Sequence, residues 1–148
     1  MKKASSDFLL LDLNVLLALA WPNHQFHAPA SERLEGGERW ATCALTQLGF
    51  IRLSSNPAAV QATKTPAEAA SLLAEMVADP LHVYVESLPQ PAGREFLPAF
   101  ARIIGSKQVM DTYLLNLTRL HKATFVTFDA RLRELAGSAV KVEVMGAA

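Results

Sequence analysis

The sequence lacks several features that particular classes of protein require, namely cysteine pairs, an excess of one charge and long apolar runs. It contains one cysteine, Cys43, so an intramolecular disulfide is impossible, and the apolar surroundings of Cys43 favour a buried structural thiol over a nucleophile. Lysine and arginine together number 14, as do aspartate and glutamate, so the formal net charge is zero. A nucleic-acid partner would therefore have to be held by a local basic patch or through metal ions.

Long apolar runs are also absent. The stretch near the N-terminus is interrupted by Asp7, Asp12 and Asn14, and it lacks the apolar core and the cleavage site of a signal peptide. No window reaches a transmembrane length without a charge. These features predict a cytoplasmic protein. The chain has 148 residues, 51% of them apolar, which fits a single folded domain over residues 1–148.

Short apolar runs alternate with helical patterns along the chain. Strands are predicted at residues 8–11, 40–42, 81–85, 124–128 and 140–144. Helices are predicted at residues 14–20, 24–34, 45–53, 65–78 and 108–121, and a proline-rich loop at residues 87–93. This alternation predicts a three-layer α/β fold, in which helices flank a central, mainly parallel sheet of about five strands.

Three aspartates stand where this fold would gather them. Asp12 follows the first predicted strand and Asp129 follows the fourth, and the carboxyl ends of parallel strands share one crevice. Asp111 lies near the start of a long predicted helix, whose dipole favours a carboxylate there by about 0.3–1 kcal/mol. Each aspartate alone is explained as a helix cap or a dipole contact. Together the three predict an acidic metal site.

Converging carboxylates repel one another unless a cation lies between them. Mg²⁺ or Mn²⁺ suits oxygen ligands better than zinc does, because the sequence has no cluster of cysteine and histidine. Such an ion can activate water and stabilise in-line displacement at a phosphodiester. The predicted chemistry is therefore hydrolysis of a phosphodiester bond.

The segments around these acids resemble a known family. The matching segments are residues 11–20, His24 with His27, residues 40–53 with residues 55–57, residues 109–115 and residues 123–129. In order and spacing they are similar to the VapC toxins, which are PIN-domain ribonucleases of bacterial toxin–antitoxin pairs. The likeness extends over nearly the whole chain.

This resemblance implies a site and a set of partners. It implies that Asp12, Asp111 and Asp129 are catalytic, metal-binding acids, with Asn14 supporting the first of them. It also implies a Mg²⁺ or Mn²⁺ cofactor, an RNA substrate, a homodimer and a small VapB-like antitoxin that inserts a segment near the acids. Residues 88–100 are candidates for contact with the antitoxin or with a second copy.

The sequence departs from the family at one acidic position. The family implies an acid on the helix after the second strand, where this sequence has Gln47 beside Thr46, a residue that could hold a water molecule. An amide carries no charge and binds a hard cation more weakly than a carboxylate does. We therefore expect one well-bound ion, with a second one weak or brought by the RNA. Glu38, in the preceding loop, is a candidate substitute.

Several other polar residues lie near the motifs. Arg52, Lys107 and Arg131 are candidates for contacts with RNA phosphates, which position RNA without reading its sequence, or else are solvated charges. His24 and His27 have the spacing of a helical pair of metal ligands, although this spacing more often caps or packs a helix.

Two alternatives to an endoribonuclease toxin follow from these residues. A catalytically weakened PIN-fold module would bind metal or RNA without cutting, because Gln47 replaces the second acid. A response-regulator-like phosphoacceptor would need an acidic neighbour to Asp12 and a lysine after a late strand, and residues 124–129 contain no lysine. The first alternative stays open, and the second is disfavoured.

Overall fold

The computed structural model describes residues 7–58 and 64–146, and within them five strands form one sheet. The strands are β1 (Leu9–Leu11), β2 (Trp40–Cys43), β3 (His82–Val85), β4 (Thr124–Thr127) and β5 (Lys141–Val144). The sheet order is β3-β2-β1-β4-β5, and each neighbouring pair is parallel.

Helices cover both faces of the sheet. They are α1 (Leu13–Ala20), α2 (His27–Leu34), α3 (Ala44–Ser54), α4 (Pro66–Val77), α5 (Leu97–Phe100), α6 (Val109–Leu120) and α7 (Arg131–Ala136), and a 3-10 turn at Ser106–Gln108 leads into α6. None of these helices is long and apolar enough to cross a membrane.

The central strand β1 shows why the chain folds in three layers. All three of its residues are buried, and a strand that is apolar on both faces needs a helical layer on each side. Leu10 packs with Phe125 and residues of α6, whereas Leu9 and Leu11 pack with Phe50 and residues of α1. This arrangement confirms the predicted α/β fold with a parallel sheet between helices.

The topology brings two chain segments to one edge of the sheet. Strands β1 and β4 are hydrogen-bonded neighbours, with Leu11 opposite Val126. Just beyond that pair, the backbone N–H of Asp12 donates to the carbonyl oxygen of Val126 at 2.9 Å. The residues that follow β1 and β4 therefore lie side by side at the carboxyl edge of the sheet.

Most predicted bounds agree with the structure to within one residue, with three exceptions. The helix predicted from residue 24 begins at His27, because the His24 Nδ1 atom accepts the backbone N–H of Phe26 and closes a turn. Helices α5 and α7 were not predicted, since four and six residues are too few to show a helical period. The prediction of a buried thiol is confirmed, because Cys43 is fully buried.

Candidate active site

Asp12 follows β1, caps α1 and is 8% exposed. Its Oδ1 atom accepts the backbone N–H of Leu13 at 2.7 Å, and its Oδ2 atom accepts the hydroxyl of Thr127 at 2.7 Å. Burial raises the pKa of Asp12, and the charge of Asp129 adds to that rise, while the two hydrogen bonds oppose it. The carboxylate is therefore held in one orientation in an environment that disfavours its charge.

Thr127 connects the residues at this edge of the sheet. Its buried hydroxyl donates to Asp12 and accepts from the Asn14 Nδ2 atom at 3.3 Å and from the backbone N–H of Asp129 at 3.0 Å. The Asn14 Oδ1 atom in turn accepts the backbone N–H of Phe128 at 3.4 Å. Asn14 thus reaches Asp12 through Thr127, a residue that was not among the predicted site residues. The available signal was a polar residue that ends a buried strand two positions before an aspartate.

Asp129 forms a bidentate ion pair with Arg131. The Arg131 Nε and Nη2 atoms donate to the two carboxylate oxygens of Asp129 at 3.0 and 2.8 Å, and the backbone N–H of Arg131 donates at 3.0 Å. These contacts lower the pKa of Asp129 and keep it ionised. The Arg131 side chain is nevertheless 89% exposed, so its guanidinium remains accessible from solvent.

Asp111 lies in the first turn of α6, half-buried, and no described residue donates a hydrogen bond to its carboxylate. Burial raises its pKa to about 6, and the charges of Asp12 and Asp129 contribute, partly offset by Arg131. The structure therefore brings the three predicted acids into one electrostatic field, although they come from three different elements. Over residues 7–58 and 64–146, no three side chains of His, Cys, Asp or Glu are arranged to hold a metal ion as they stand.

This geometry agrees with a family comparison. The family model of the PIN domain matches residues 9–138, which include all three aspartates. The chain belongs to the PIN-domain family.

Relatives of this PIN domain are of the VapC type, as the sequence analysis predicted. It is 38% identical to Ribonuclease VapC39 of Mycobacterium tuberculosis over 141 residues, which cover 92% of this chain and 98% of that protein. It is 34% identical to Ribonuclease VapC38 of the same organism over 145 residues, covering 91% of this chain and 94% of that protein. These two relatives match the chain over nearly its whole length.

A solved structure shares the PIN fold. The crystal structure of VapBC2 from Rickettsia felis bound to a DNA fragment from their promoter matches with a TM-score of 0.60. The match covers 93% of this chain and 98% of that chain at 15% sequence identity. At this identity the likeness shows the fold.

The two supporting residues on α3 have partners of their own in this PIN domain. The Gln47 Nε2 atom donates to the Thr42 hydroxyl at 3.0 Å, and that hydroxyl lies 2.7 Å from the His82 Nε2 atom. The Thr46 hydroxyl is buried and bonds both the N–H and the carbonyl oxygen of Cys43 at 3.1 Å. These two bonds leave the Thr46 hydroxyl one further acceptor position, which a water molecule could use.

The three candidate phosphate ligands lie in different settings. The acidic edge is the group formed by Asp12, Asp111 and Asp129, and Arg131 contacts it through Asp129. Arg52 is exposed on α3 and lines an open groove together with Met110, the residue before Asp111. Lys107 is exposed in the 3-10 turn that leads into α6. Only Arg131 among these three forms an ion pair in the described part of the chain.

Glu38 and the two histidines are bound elsewhere. Glu38 pairs with Arg33, which also holds Glu143 of β5 at 2.6 Å, so Glu38 does not substitute for the missing acid in this structure. The His27 Nδ1 atom lies 2.8 Å from the carbonyl oxygen of Ala18, and His24 closes the turn before α2. The histidines pack and cap as the simpler interpretation expected, although His24 precedes the helix.

Proposed function

We propose that this PIN domain is a metal-dependent endoribonuclease and the toxin of a toxin–antitoxin pair. The observation that carries the proposal is the shared electrostatic field of Asp12, Asp111 and Asp129 at the edge formed by β1, β4 and α6. The names of the two M. tuberculosis relatives, both ribonucleases, support RNA as the substrate.

The donor set fits a hard divalent cation. The site offers carboxylate oxygens from Asp12, Asp111 and Asp129. The pKa of Asp111 is raised first by burial and then by the charges of Asp12 and Asp129, and a cation would neutralise those charges. We propose that these three acids hold Mg²⁺ or Mn²⁺ after side-chain adjustment. When bound, the ion would supply an activated water and would stabilise charge on the phosphate.

The protein's own residues have distinct proposed roles. Thr127 orients Asp12 by a hydrogen bond to one carboxylate oxygen, and Asn14 holds the Thr127 hydroxyl in place. Arg131 has an accessible guanidinium, which would exchange its contact with Asp129 for a contact with an RNA phosphate. This exchange would free the Asp129 carboxylate for the ion.

Cleavage of total RNA by the purified protein tests the proposal. We expect discrete fragments with Mg²⁺ or Mn²⁺, none with EDTA, and none from the Asp12→Asn variant. Circular dichroism on both proteins distinguishes loss of chemistry from loss of fold. A folded wild-type protein that cuts no RNA with either ion contradicts the proposal.

A weakened, non-cutting module is the second candidate function. The observation that favours it is the neutral Gln47, whose amide donates to Thr42 where the family implies an acid. The Gln47→Glu variant separates the two candidates. Cleavage that appears only in the variant supports a weakened module, whereas a change of a few fold supports an enzyme that already works.

We also propose a VapB-like antitoxin as the protein partner and a homodimer as the toxin's own state. The solved VapBC2 complex supports a partner of this kind. Within residues 88–100, Phe96 is fully buried and Leu88 packs against the core, whereas Leu97 is 54% exposed. The groove lined by Leu48 and Met110 is a second accessible apolar surface, since these two residues are 64% and 50% exposed. Co-purification with a co-expressed antitoxin, with Leu48→Asp as the variant, tests this contact.

A further inference from the structure

A second cavity lies between α5, α6 and α7 and has a volume of about 200 Å³. Its wall is formed by the residues around the end of α5, one face of α6, and α7 with the residues that precede β5. None of the three aspartates of the acidic edge lines it. A single water needs roughly 15 Å³ of such volume, so this cavity has room for a small organic molecule.

A buried hydroxyl in the cavity wall has no partner. Thr112 is 4% exposed, and its Oγ1 atom makes no hydrogen bond to any described residue. Asn116, one helical turn further on, does not satisfy this hydroxyl, because its Nδ2 atom donates to the backbone oxygen of Thr112 at 2.9 Å. A buried polar group without a partner is costly. Because the oxygen itself is closed off from solvent, a ligand in the cavity gains this hydrogen bond when the Thr112 side chain turns toward it.

Charged groups in the wall favour an anion. Arg102, Arg119 and Glu134 all line the cavity, which leaves an excess of one positive charge. Neither Arg102 nor Glu134 forms an ion pair within the described part of the chain, and Arg119 donates only a long bond of 3.4 Å to Asn116. Guanidinium groups bind carboxylates and phosphates through two parallel hydrogen bonds.

The remaining wall is largely apolar. Leu115 is buried at 2% exposure, and its side chain shares the cavity wall with Leu135 and Val140. An apolar wall with a few converging polar groups is typical of a small-molecule site. Such a wall favours a ligand with a carbon skeleton over a bare inorganic ion.

We propose that this cavity binds a small organic anion. The carboxylate or phosphate group of the ligand contacts Arg102 and Arg119, a polar group lies near Thr112, and an apolar body packs against Leu115. This inference does not rest on the ribonuclease proposal, because the two sites share no residue.

Isothermal titration of the full chain with three probes tests the proposal. The probes are phenyl phosphate, benzoate and inorganic phosphate, and we expect the first two to bind more tightly than the third. Arg102→Gln should raise the Kd of phenyl phosphate about tenfold. The matched control is Arg94→Gln, which removes the same charge from an exposed arginine outside the cavity and should leave the Kd within about twofold.

Two further variants separate binding in the cavity from binding to surface charge. Ala139→Leu should fill the cavity and abolish binding while both arginines remain. Thr112→Val should weaken binding about threefold without changing charge or volume. The proposal is overturned if no probe binds at about 10 mM, if both arginine variants change the Kd equally, or if Ala139→Leu binds like the wild type. Circular dichroism verifies that each variant is folded.

Discussion

Two buried threonine hydroxyls, one at the end of β4 and one near the end of β2, form hydrogen bonds with different kinds of side chain. At the end of β4, Thr127 donates to the carboxylate of Asp12 and accepts the backbone N–H of Asp129. In β2, Thr42 accepts the neutral amide of Gln47 and contacts the ring of His82, whose pKa is lowered by burial. Threonine therefore belongs to a charged hydrogen-bond network at position 127 and to a neutral one at position 42.

The difference between the Thr127 and Thr42 networks shows that the acidic edge does not extend to β2. The structure gathers negative charge at β1, β4 and α6. In the β2 region, where the family implies another acid, the neutral Gln47 instead donates to Thr42. A charge-assisted hydrogen bond is about twice as strong as a neutral one. The two threonines should therefore differ in their contributions to stability and to cleavage.

The largest effect is expected at Asp111. Asp111→Asn removes one of the three charges that we propose to hold the metal, and it should lower the rate of metal-dependent RNA cleavage by about 100-fold or more. Cleavage assays at saturating Mg²⁺ or Mn²⁺ measure this change. If Asp111→Asn kept the full rate in folded protein, the site assignment would be wrong.

Substitution of Thr127 should have the next largest effect. Thr127→Val leaves the Asp12 carboxylate and the Asn14 amide without their shared partner, which should lower the free energy of unfolding by about 2–3 kcal/mol. Cleavage should also fall, because Asp12 loses the contact that orients it. Urea titration measures the stability, and Thr127→Ser, which keeps the hydroxyl, is the matched control. Equal behaviour of the two variants would show that the hydroxyl is not needed.

Thr42→Val tests the neutral side of the comparison. Here the loss of one hydroxyl leaves an amide and a neutral imidazole unpaired, so the free energy of unfolding should fall by about 1 kcal/mol. We expect a smaller loss of cleavage than in Thr127→Val. If Thr42→Val lost more cleavage than Thr127→Val, the region of Gln47 would matter more for cleavage than the region of Asp12, contrary to our expectation.

The smallest effect is a pH dependence of stability. Because the pKa of Asp111 is raised to about 6 in the folded protein, its contribution to stability is present in full below about pH 4 and is lost as the pH rises through about 6. Without metal, Asp111→Asn should therefore match the wild type near pH 4 and exceed it near pH 7. The expected gain is about 1 kcal/mol, after allowing for solvent screening of a half-buried group. Urea titrations of both proteins in EDTA at the two pH values measure it, and equal stabilities at pH 7 would contradict the raised pKa.

The sequence was informative about elements with long periodic patterns and less so about short ones. The run at 8–11 and the pattern of α6 were sufficient to predict a buried strand and a long helix to within one residue. Helix α7 was not predicted because its six residues are too few to show a helical period. The start of α2 was predicted too early because the bond from Phe26 to the side chain of His24 is a local contact that no periodicity reveals.

The candidate site was predictable in its residue types but not in its partners. Strand-end aspartates can be read from the order of apolar runs, and that order alone predicted that Asp12 and Asp129 would share an edge. The pairing of Glu38 with Arg33 and of Gln47 with Thr42 could not be read in this way. Each depends on which element packs beside which, and several rotamers satisfy the same local sequence.

By itself, the sequence determined the α/β class and the burial of β1, and it singled out the three aspartates, because these follow from local composition and from the period of burial. Only the tertiary structure decided that Thr127 connects the acids, that Arg131 closes on Asp129, and that the pKa of Asp111 rises to about 6. The physical reason is that hydrogen-bond partners and desolvation depend on distances between segments remote in the chain, such as Asp12 and Thr127. Those distances exist only once the sheet has formed.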